Sequence, residues 1–403
     1  MTTRVLLMLT ADLEAEGGGG IRTYVRDFVK YSPEDFDVAV VASTSDPRAR
    51  PVGKWRRVTY GQRTARVLPL VHIPPDGVSP VPDLLRYVGA LVIRRRQLPL
   101  AERVLQFHRP AIALLFLRHR GPMVQWLHLD PAEFSAHMKW RRAPGLLDRI
   151  EALTVPRMDY VYTPGAAVAD AYRRRFPALH DRIRYSPNWF DPQRFRLPAP
   201  GERGAAREQI GGLIGEPLSD RQSVVLSVGR LHPQKDPELL LDAFARLARQ
   251  RDARLLLVGT GRLAATLEQH ARSTGIADRI HLLGPRTPDE VALLMRAADV
   301  LLIASHAEVS TRVALEALGS GLPVVATPVG EMRRVLEHGQ TGWVVEDRRP
   351  DSLAAGLEWV LAQPRQELAD AARESVADYV PEQVLGPIYE LHRSLAAEFH
   401  TRR

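Results

Sequence analysis

The chain has 403 residues, of which 45% are apolar and 25% charged, and these values are ordinary for a folded soluble protein. It contains no cysteine, which excludes disulfides, thiolate nucleophiles and cysteine-ligated zinc. No window reaches the roughly 18 apolar residues of a transmembrane helix, and the apolar run Val5 to Leu9 is too short for a signal peptide. We therefore expect a cytoplasmic protein of two domains.

The net charge of +8 is unevenly distributed. Residues 1–187 contain 29 Lys and Arg against 18 Asp and Glu, a balance of +11, and the remainder contains 26 against 29, a balance of −3. This asymmetry favours an anionic partner for the first half, although a bias toward arginine codons would produce the same pattern. Nucleic acid is not expected, because the sequence contains no helix-turn-helix, RNP or zinc-finger pattern.

Apolar runs of strand length alternate with amphipathic stretches of helix length from the N-terminus onward. The strands predicted in the first half are 4–10, 37–42, 67–73, 111–117, 123–128 and 160–163. The helices predicted between them are 21–31, 84–107 with a break near Pro99, and 164–176. This alternation is typical of parallel sheets covered by helices.

A segment rich in proline and charge, 186–204, indicates a boundary. After it, strands are predicted over 223–228, 254–258, 280–283, 300–304, 323–326 and 342–345, and helices fill 350 to the C-terminus with a break at Pro381. The predicted fold class is α/β, with Rossmann-like, doubly wound domains over 1–187 and 188–380. A C-terminal helix over 381–403 is expected to return to the first domain. In such folds ligands bind at the carboxyl ends of the strands.

Two cations lie in a strand-to-helix loop of the second domain. Arg230 and Lys235 belong to SVGRLHPQKD, where they could clamp a diphosphate. The alternative is a solvated basic loop capped by Asp236. In LVGTGR, Gly259 and Gly261 end the next strand and would let a ligand approach the backbone, although glycine after a strand is most often only a turn.

The stretch HAEVSTRVALEALGSGLPVVATPVG places Glu308 just before a helix and Glu316 inside it. Ser310 and Thr311 are candidate N-caps, and backbone N–H groups there could hold a phosphate. Glu316 would then lie about one helical pitch away, within reach of ribose hydroxyls. The alternative is that Glu316 only pairs with Arg312 at i, i+4.

Together these motifs resemble the family 4 retaining glycosyltransferases, group 1 type, whose fold is called GT-B and sets two Rossmann-like domains across a deep cleft. The resemblance includes EALGSGLPVVAT, the stretch NWFDPQRF at 188–195 and the Ala-Asp strand in LLMRAADVLLIAS. It implies that Arg230 and Lys235 bind the donor pyrophosphate, Glu316 the ribose and Glu308 the transferred sugar. The backbone from Val309 to Thr311 would also line the donor site, with Gly259 opposite.

In the first domain, EGGGGIRTYVRDF resembles the glycine-rich loop of the family, and Gly19 and Gly20 match its glycine pair. A flexible loop is the alternative. His128 closes a first-domain strand in MVQWLHLD. An isolated histidine there is usually structural, but the family places a cleft-facing histidine at this point, where it would contact the sugar or shape the reaction centre.

Two positions depart from the family pattern. Val309 stands where the family usually has glycine, and Thr311 stands where it usually has glycine or proline. Their side chains would crowd the sugar end of the donor site. GEMRRV at 330–335 replaces the commoner Gly-Gly-x-Pro-Glu-Val, and its Glu331 would contact the donor sugar or cap a helix.

The resemblance implies retaining transfer from a UDP- or GDP-sugar to an acceptor hydroxyl, with no cofactor and no metal. Envelope, exopolysaccharide or lipid-linked glycan synthesis is the expected setting, with peripheral contact at an anionic inner membrane face through arginine runs at 94–96 and 173–175. The alternatives are a transferase of aminoglycoside-type secondary metabolites, a nucleotide-sugar epimerase or glycan phosphorylase, and a non-catalytic nucleotide-sugar-binding paralogue.

Overall fold

The computed structural model of the chain describes residues 2–15, 20–74, 81–128 and 145–402. The chain divides into two compact units. The first comprises Met1–Pro187 together with Pro381–Arg403, and the second is Asn188–Val380. None of the helices in the described ranges is long and apolar enough to cross a lipid bilayer.

The first unit is built on an eight-stranded sheet. Its strands are β1 Thr3–Asp12, β2 Phe36–Thr44, β3 Arg56–Tyr60, β4 Arg63–His72, β5 Val104–Phe107, β6 Met123–Trp126, β7 Tyr160–Thr163 and β8 Ile183–Tyr185. They lie in the order β3-β4-β2-β1-β5-β6-β7-β8, and all neighbours are parallel except β3 and β4. Its described helices are α1 Gly20–Lys30, α2 Asp83–Ile93, α3 Pro110–Ala113, α4 Leu146–Thr154 and α5 Ala166–Arg175.

Two sequence predictions in the first unit are wrong. The segment 111–117 is not a strand but α3 followed by the 3-10 turn Leu114–Phe116. The second half of the predicted helix 84–107 is instead β5, which pairs with β1 and β6. Both are short buried apolar runs, which periodicity alone does not assign to strand or helix. Pro110 begins α3 at a position that proline favours.

The second unit is built on a parallel six-stranded sheet. Its strands are β9 Ser223–Val228, β10 Ala253–Val258, β11 Ile280–Gly284, β12 Val300–Ile303, β13 Val324–Ala326 and β14 Gly342–Val344, in the order β11-β10-β9-β12-β13-β14. Its helices are α6 Glu202–Ile214, α7 Pro237–Ala248, α8 Ala264–Ser273, α9 Pro288–Ala297, α10 Arg312–Gly319, α11 Met332–Val335, α12 Pro350–Ala362 and α13 Arg365–Ser375.

Alternating side chains of β9 enter separate cores on the two faces of this sheet. Val224 and Leu226 belong to one buried cluster and Val225 to the other, as the period of two along a strand requires. The strand order reverses beside β9, because β10 pairs with one edge of it and β12 with the other. Such a reversal is the place where doubly wound sheets bind ligands.

Asp299 lies directly before β12 and joins three arginines. Its carboxylate accepts hydrogen bonds from Arg203 at 2.7 Å, Arg207 at 2.6 Å and Arg365 at 2.7 Å. The backbone N–H of Val224 donates to the same carboxylate at 2.8 Å. This cluster ties α6, β9 and the start of α13 to one point.

The helix α14, Pro381–Thr401, belongs to the first unit although it follows the second in sequence. It packs on β1 and β5. Its Tyr389 hydroxyl donates to the Phe28 carbonyl at 2.9 Å, and His392 on the same helix is fully buried. The core of the first unit is therefore completed by a segment distant in sequence.

Candidate active site

The candidate site of the second unit is a pocket at the carboxyl ends of β9, β10 and β12. Its lining includes Gly229, Arg230, Lys235, Ser305 and Thr311. These residues come from the loop after β9, the segment after β12 and the start of α10. The pocket therefore lies at the strand-order reversal, where the fold predicts a ligand.

The loop after β9 is held against the loop after β10 by their backbones. Gly229 donates to the Val258 carbonyl at 2.9 Å, and Leu231 donates to the Thr260 carbonyl at 3.0 Å. Gly259 has a φ of +133°, and a Cβ there would lie 1.9 Å from the Gly229 carbonyl oxygen. Gly259 is thus required by close packing beneath Arg230, and its contact with donor stays a prediction.

Lys235 and Glu308 form an ion pair at this pocket. The Ser305 hydroxyl donates to Glu308 Oε1 at 2.8 Å, the same oxygen that accepts from Lys235 Nζ. Only 25% of the Lys235 side chain and 10% of the Glu308 side chain are exposed. The structure therefore brings together the cation and the carboxylate that the resemblance assigns to diphosphate and sugar.

Arg230 is exposed, and its guanidinium donates to Gln234 Oε1 at 3.2 Å. Gln234 also donates through its side chain to the Ala307 carbonyl at 3.0 Å, and its own carbonyl accepts from the His306 N–H at 2.8 Å. Gln234 thereby joins the loop carrying Arg230 and Lys235 to the segment that precedes Glu308. Arg230 retains donor groups that face solvent.

Asp236 fixes the turn that presents Lys235. It adopts a φ of +43°, which is uncommon for a residue other than glycine. Its side chain accepts from the Leu239 N–H at 3.3 Å and caps α7, and its carboxylate pairs with Arg348. The alternative interpretation of this loop, in which Asp236 caps a helix, is therefore correct for Asp236. Arg230 and Lys235 nevertheless also line the pocket.

Thr311 lies at the N-cap of α10, as predicted, but its hydroxyl makes no capping hydrogen bond. The residue is 5% exposed. Within the described part of the chain its Oγ1 atom has no hydrogen-bond partner. A buried hydroxyl of this kind costs about 1–3 kcal/mol unless a partner satisfies it, so a ligand oxygen in the pocket would be stabilised here. Ser310, the other candidate cap, is half-buried just before it.

Glu316 contacts Arg312, whose Nε lies 3.5 Å from its carboxylate. This is the i, i+4 pair of the alternative interpretation, yet both side chains are mostly buried, at 18% and 14% exposed. The Arg312 guanidinium in turn lies 5.2 Å from the centre of the Trp189 ring. The ribose role of Glu316 stays a prediction.

The remaining candidates, Gly19, Gly20 and His128, belong to the first unit. Gly20 begins α1, and a Cβ there would meet no atom of the described residues within 4 Å; Gly19 lies outside those residues. His128 follows β6, and its Nε2 lies 2.8 Å from His108 Nδ1. Burial lowers the pKa of His128 to about 3, so the ring is neutral at pH 7.

Sequence reasoning missed Ser305, Gln234 and His108. Gln234 lies between Arg230 and Lys235, and Ser305 lies three residues before Glu308. Their positions in the same loops as these predicted site residues could have identified them. His108 follows β5, which the sequence assigned to a helix. Because residues 84–107 were predicted as a helix, His108 was not recognised as following a strand, where site residues are expected.

Two family models match the chain and together cover most of it. The model described as Glycosyltransferase Family 4 matches residues 18–194, and the model described as Glycosyl transferases group 1 matches residues 215–376. The chain belongs to glycosyltransferase family 4.

Curated relatives of this family 4 member include enzymes named D-inositol 3-phosphate glycosyltransferase. The one from Geodermatophilus obscurus is 37% identical over 209 residues, which is 49% of this chain and 45% of the relative. The one from Corynebacterium diphtheriae is 38% identical over 276 residues, 64% of this chain and 62% of the relative. The match to the first of these spans about half the length of the relative.

Solved structures confirm the predicted GT-B fold of this family 4 member. Sucrose-phosphate synthase from Thermosynechococcus elongatus superposes with a TM-score of 0.80 at 21% identity, over 98% of this chain and 100% of that one. HepE from Anabaena, solved in complex with UDP and glucose, gives 0.73 at 19% identity, over 97% and 100%. At these identities the likeness shows the fold alone.

The departures from the family pattern have a structural setting in this family 4 member. Gly330 has a φ of +54°, and a Cβ there would lie 2.6 Å from the Glu308 carbonyl oxygen. The backbone around Gly330 thus packs directly on the Glu308–Val309 segment. Val309 is half-buried, and Glu331 pairs with Arg334 at 3.0 Å. Of the two glycines in the commoner Gly-Gly-x-Pro-Glu-Val motif, this sequence keeps the first, Gly330. The close contact with the Glu308 carbonyl requires a glycine at that position.

Proposed function

We propose that the chain transfers a sugar from a nucleotide diphosphate sugar to an acceptor hydroxyl with retention at the anomeric carbon. The observation that carries the proposal is the pocket in which Arg230, the Lys235–Glu308 pair and the unsatisfied Thr311 hydroxyl meet the N-terminus of α10. Cations, a helix N-terminus and a buried hydroxyl donor together suit a diphosphate. A carboxylate beside them suits sugar hydroxyls.

The chemistry follows from where charge develops. Breaking the bond between sugar and diphosphate places negative charge on the leaving group, and fixed positive groups stabilise that transition state. Lys235 is held in place by Glu308, while Glu308 Oε1 is engaged by both Lys235 and Ser305. Within the described residues Glu308 Oε2 has no recorded partner, so this oxygen is free to accept from a sugar hydroxyl.

Retention is proposed to follow a front-side displacement in which the leaving phosphate assists the incoming hydroxyl. Glu308, the carboxylate that the resemblance assigns to the sugar, pairs with Lys235, which reduces its strength as a covalent nucleophile. Metal independence stays a prediction, since positive side chains would do the work of a cation at the diphosphate.

The first test is a thermal-shift panel of UDP, GDP, ADP and their sugar conjugates. A ligand that binds only the folded state raises the apparent stability, by about 2.7 kcal/mol at one hundred times its Kd. We expect one UDP- or GDP-sugar to raise the melting temperature. HepE, a protein of the same fold, is solved with UDP-glucose, so UDP-glucose is included as a probe. No shift with any member would contradict nucleotide-sugar binding and, with it, the proposed transfer.

Glu316→Gln tests the ribose contact. If Glu316 accepts hydrogen bonds from the ribose, the amide weakens binding of the free nucleotide diphosphate by about tenfold, since a hydrogen bond to a charged group contributes about 1.5–3 kcal/mol. Isothermal titration calorimetry measures the affinity. The matched control is Glu268→Gln, because Glu268 also forms an i, i+4 pair with an arginine but is 53% exposed. If Glu316→Gln and Glu268→Gln bind the nucleotide diphosphate with equal affinity, Glu316 does not contact the ribose and only pairs with Arg312.

The acceptor is proposed to be anionic, since the first 187 residues carry a balance of +11. Lipid-linked or envelope glycan is one class. The names of the curated relatives support a second class, a phosphorylated cyclitol such as D-inositol 3-phosphate. Product analysis with the donor identified by thermal shift, offered each acceptor class in turn, separates them.

Membrane contact is proposed through α2 rather than through the arginine run 173–175. In that run Arg173 donates to the Ile183 carbonyl and Arg175 pairs with Glu151 at 2.6 Å, so both are engaged within the unit. The helix α2 instead exposes apolar side chains: Leu85 is 52%, Val92 58% and Ile93 82% exposed. These residues stand next to Arg94 and Arg96, while Arg95 between them donates to the Leu115 carbonyl at 2.9 Å. Apolar and cationic side chains side by side suit an anionic membrane surface.

Flotation with phosphatidylglycerol vesicles tests this contact. We expect the protein to float with anionic vesicles and to be released by high salt, since screening weakens the electrostatic attraction. Leu85→Ser with Ile93→Ser is expected to abolish flotation, because it removes apolar area that would enter the interface. Arg221→Ala, an exposed change in the second unit, serves as control. Absence of flotation by the wild type would favour a soluble acceptor.

A further inference from the structure

A chain of four polar side chains links α14 to His128 inside the first unit. Gln106 on β5 and His392 on α14 are fully buried, and His108 is 2% exposed. The structure places Gln106 Oε1 3.0 Å from His392 Nε2 and Gln106 Nε2 3.2 Å from His108 Nε2. His108 Nδ1 lies 2.8 Å from His128 Nε2. The contacts form a continuous line from α14 to the end of β6.

The direction of these hydrogen bonds is set at α14. His392 Nδ1 lies 2.7 Å from the Ile388 carbonyl oxygen, which only accepts, so Nδ1 carries a proton. Burial lowers the pKa of His392 to about 4. The ring is therefore neutral at pH 7 and its Nε2 is an acceptor. The NH₂ group of Gln106 must then face His392, so we assign the amide opposite to the orientation in which its Oε1 lies there, since the two ends of an amide are assigned from their partners.

The remaining bonds follow in turn. The carbonyl oxygen of Gln106 faces His108 and accepts from its Nε2–H. Burial holds the pKa of His108 well below its usual range, so the neutral ring keeps a lone pair on Nδ1 and accepts from His128 Nε2–H. The Tyr24 hydroxyl lies 3.4 Å from the same amide atom. The reverse orientation of Gln106 would place two acceptors 3.0 Å apart at His392.

We propose that His392, Gln106 and His108 form a relay that fixes His128 as its Nε2–H tautomer and leaves Nδ1 as a hydrogen-bond acceptor. Among the described residues Nδ1 of His128 has no recorded hydrogen bond. The tautomer follows from these contacts and from the neutrality of the buried rings, without reference to a substrate. That Nδ1 accepts from a hydroxyl of a bound sugar or acceptor rests on the proposed function. The other three side chains are positioning residues, since they act through His128.

Long-range proton–nitrogen correlation spectra of protein labelled with ¹⁵N-histidine test the tautomers without substrate. Single His→Gln variants at 108, 128 and 392 assign the three rings. We expect the Nε2–H pattern for His128 and His108 and the Nδ1–H pattern for His392. An Nδ1–H pattern for His128 in the wild type would overturn the proposal. That failure would leave the nucleotide-sugar binding of the second unit untouched, which the thermal-shift panel measures separately.

A pair of Gln106 variants distinguishes the relay from simple packing. Gln106→Glu, with its buried carboxyl protonated, donates to His392 and keeps an oxygen that accepts from His108, whereas Gln106→Leu fills similar space and does neither. We expect a single Nε2–H tautomer of His128 in Gln106→Glu and its loss in Gln106→Leu, where both tautomers appear. A single Nε2–H form in Gln106→Leu would show that the relay does not set it. If that variant does not fold, the wild-type spectrum still decides.

Discussion

Lys235→Ala is expected to lower kcat/KM for sugar transfer by about 10²–10³-fold while the protein remains folded. Removing one donor aimed at developing negative charge typically costs that much. Lys235 is the cation that meets Glu308 at the pocket, so its loss removes positive charge from the diphosphate and leaves Glu308 without its counter-ion. Both effects weaken binding of the transition state.

The measurement is release of nucleotide diphosphate from the donor that the thermal-shift panel identifies. Lys235→Arg is expected to fall between wild type and alanine, because a planar guanidinium keeps the charge but not the shape of an ammonium. Arg221→Ala is the matched control, since Arg221 is exposed at the opposite end of β9. Wild-type turnover by Lys235→Ala would remove this residue from the active site and, with it, the central element of the proposal.

Asp299→Ala is expected to lower the free energy of unfolding of the second unit by about 3–5 kcal/mol, the usual cost of removing one partner from a buried ion pair. Three arginines converge on this carboxylate, and Arg207 is only 2% exposed. Burial lowers the pKa of Arg207 below its ordinary value, and the negative charge of Asp299 acts against that shift. Without Asp299 the guanidinium groups would repel one another in a poorly solvated place.

Chemical denaturation followed by circular dichroism measures the loss. The control is Asp289→Ala: Asp289 pairs with Arg194 at 2.7 Å, but it is 79% exposed, and surface pairs contribute about 0–1 kcal/mol. Asp299→Asn keeps an acceptor oxygen but removes the charge, so its loss of unfolding free energy is expected to lie between those of Asp299→Ala and Asp289→Ala. Equal midpoints for Asp299→Ala and Asp289→Ala would show that the three arginines are solvated well enough to do without the carboxylate.

Much of the fold followed from local pattern. The strands 160–163 and 223–228 coincide with β7 and β9, because each is a short apolar run between clear turns. The strands β3 and β8 were missed. The first is a mostly polar edge strand that is exposed at alternate residues, and the second has only three residues. Neither carries enough apolar periodicity to be seen without its neighbours.

The site was predictable as a set of residue types but not as a set of contacts. Arg230, Lys235 and Glu308 could be named from their motifs, yet the pairing of Lys235 with Glu308 spans 73 positions in sequence. The relay to His128 is harder still, since Gln106 and His392 are 286 positions apart. Such contacts arise from tertiary packing, which local spacing does not encode.

The return of α14 to the first unit has a consequence for the order in which the two units are completed during synthesis. Residues 1–187 are translated first, but Tyr389 and His392 enter their core only after α14 has been made. The second unit is continuous from Asn188 to Val380 and has all its strands before that moment. Although domains generally fold in N-to-C order on the ribosome, here the second unit is the first for which every core residue is present.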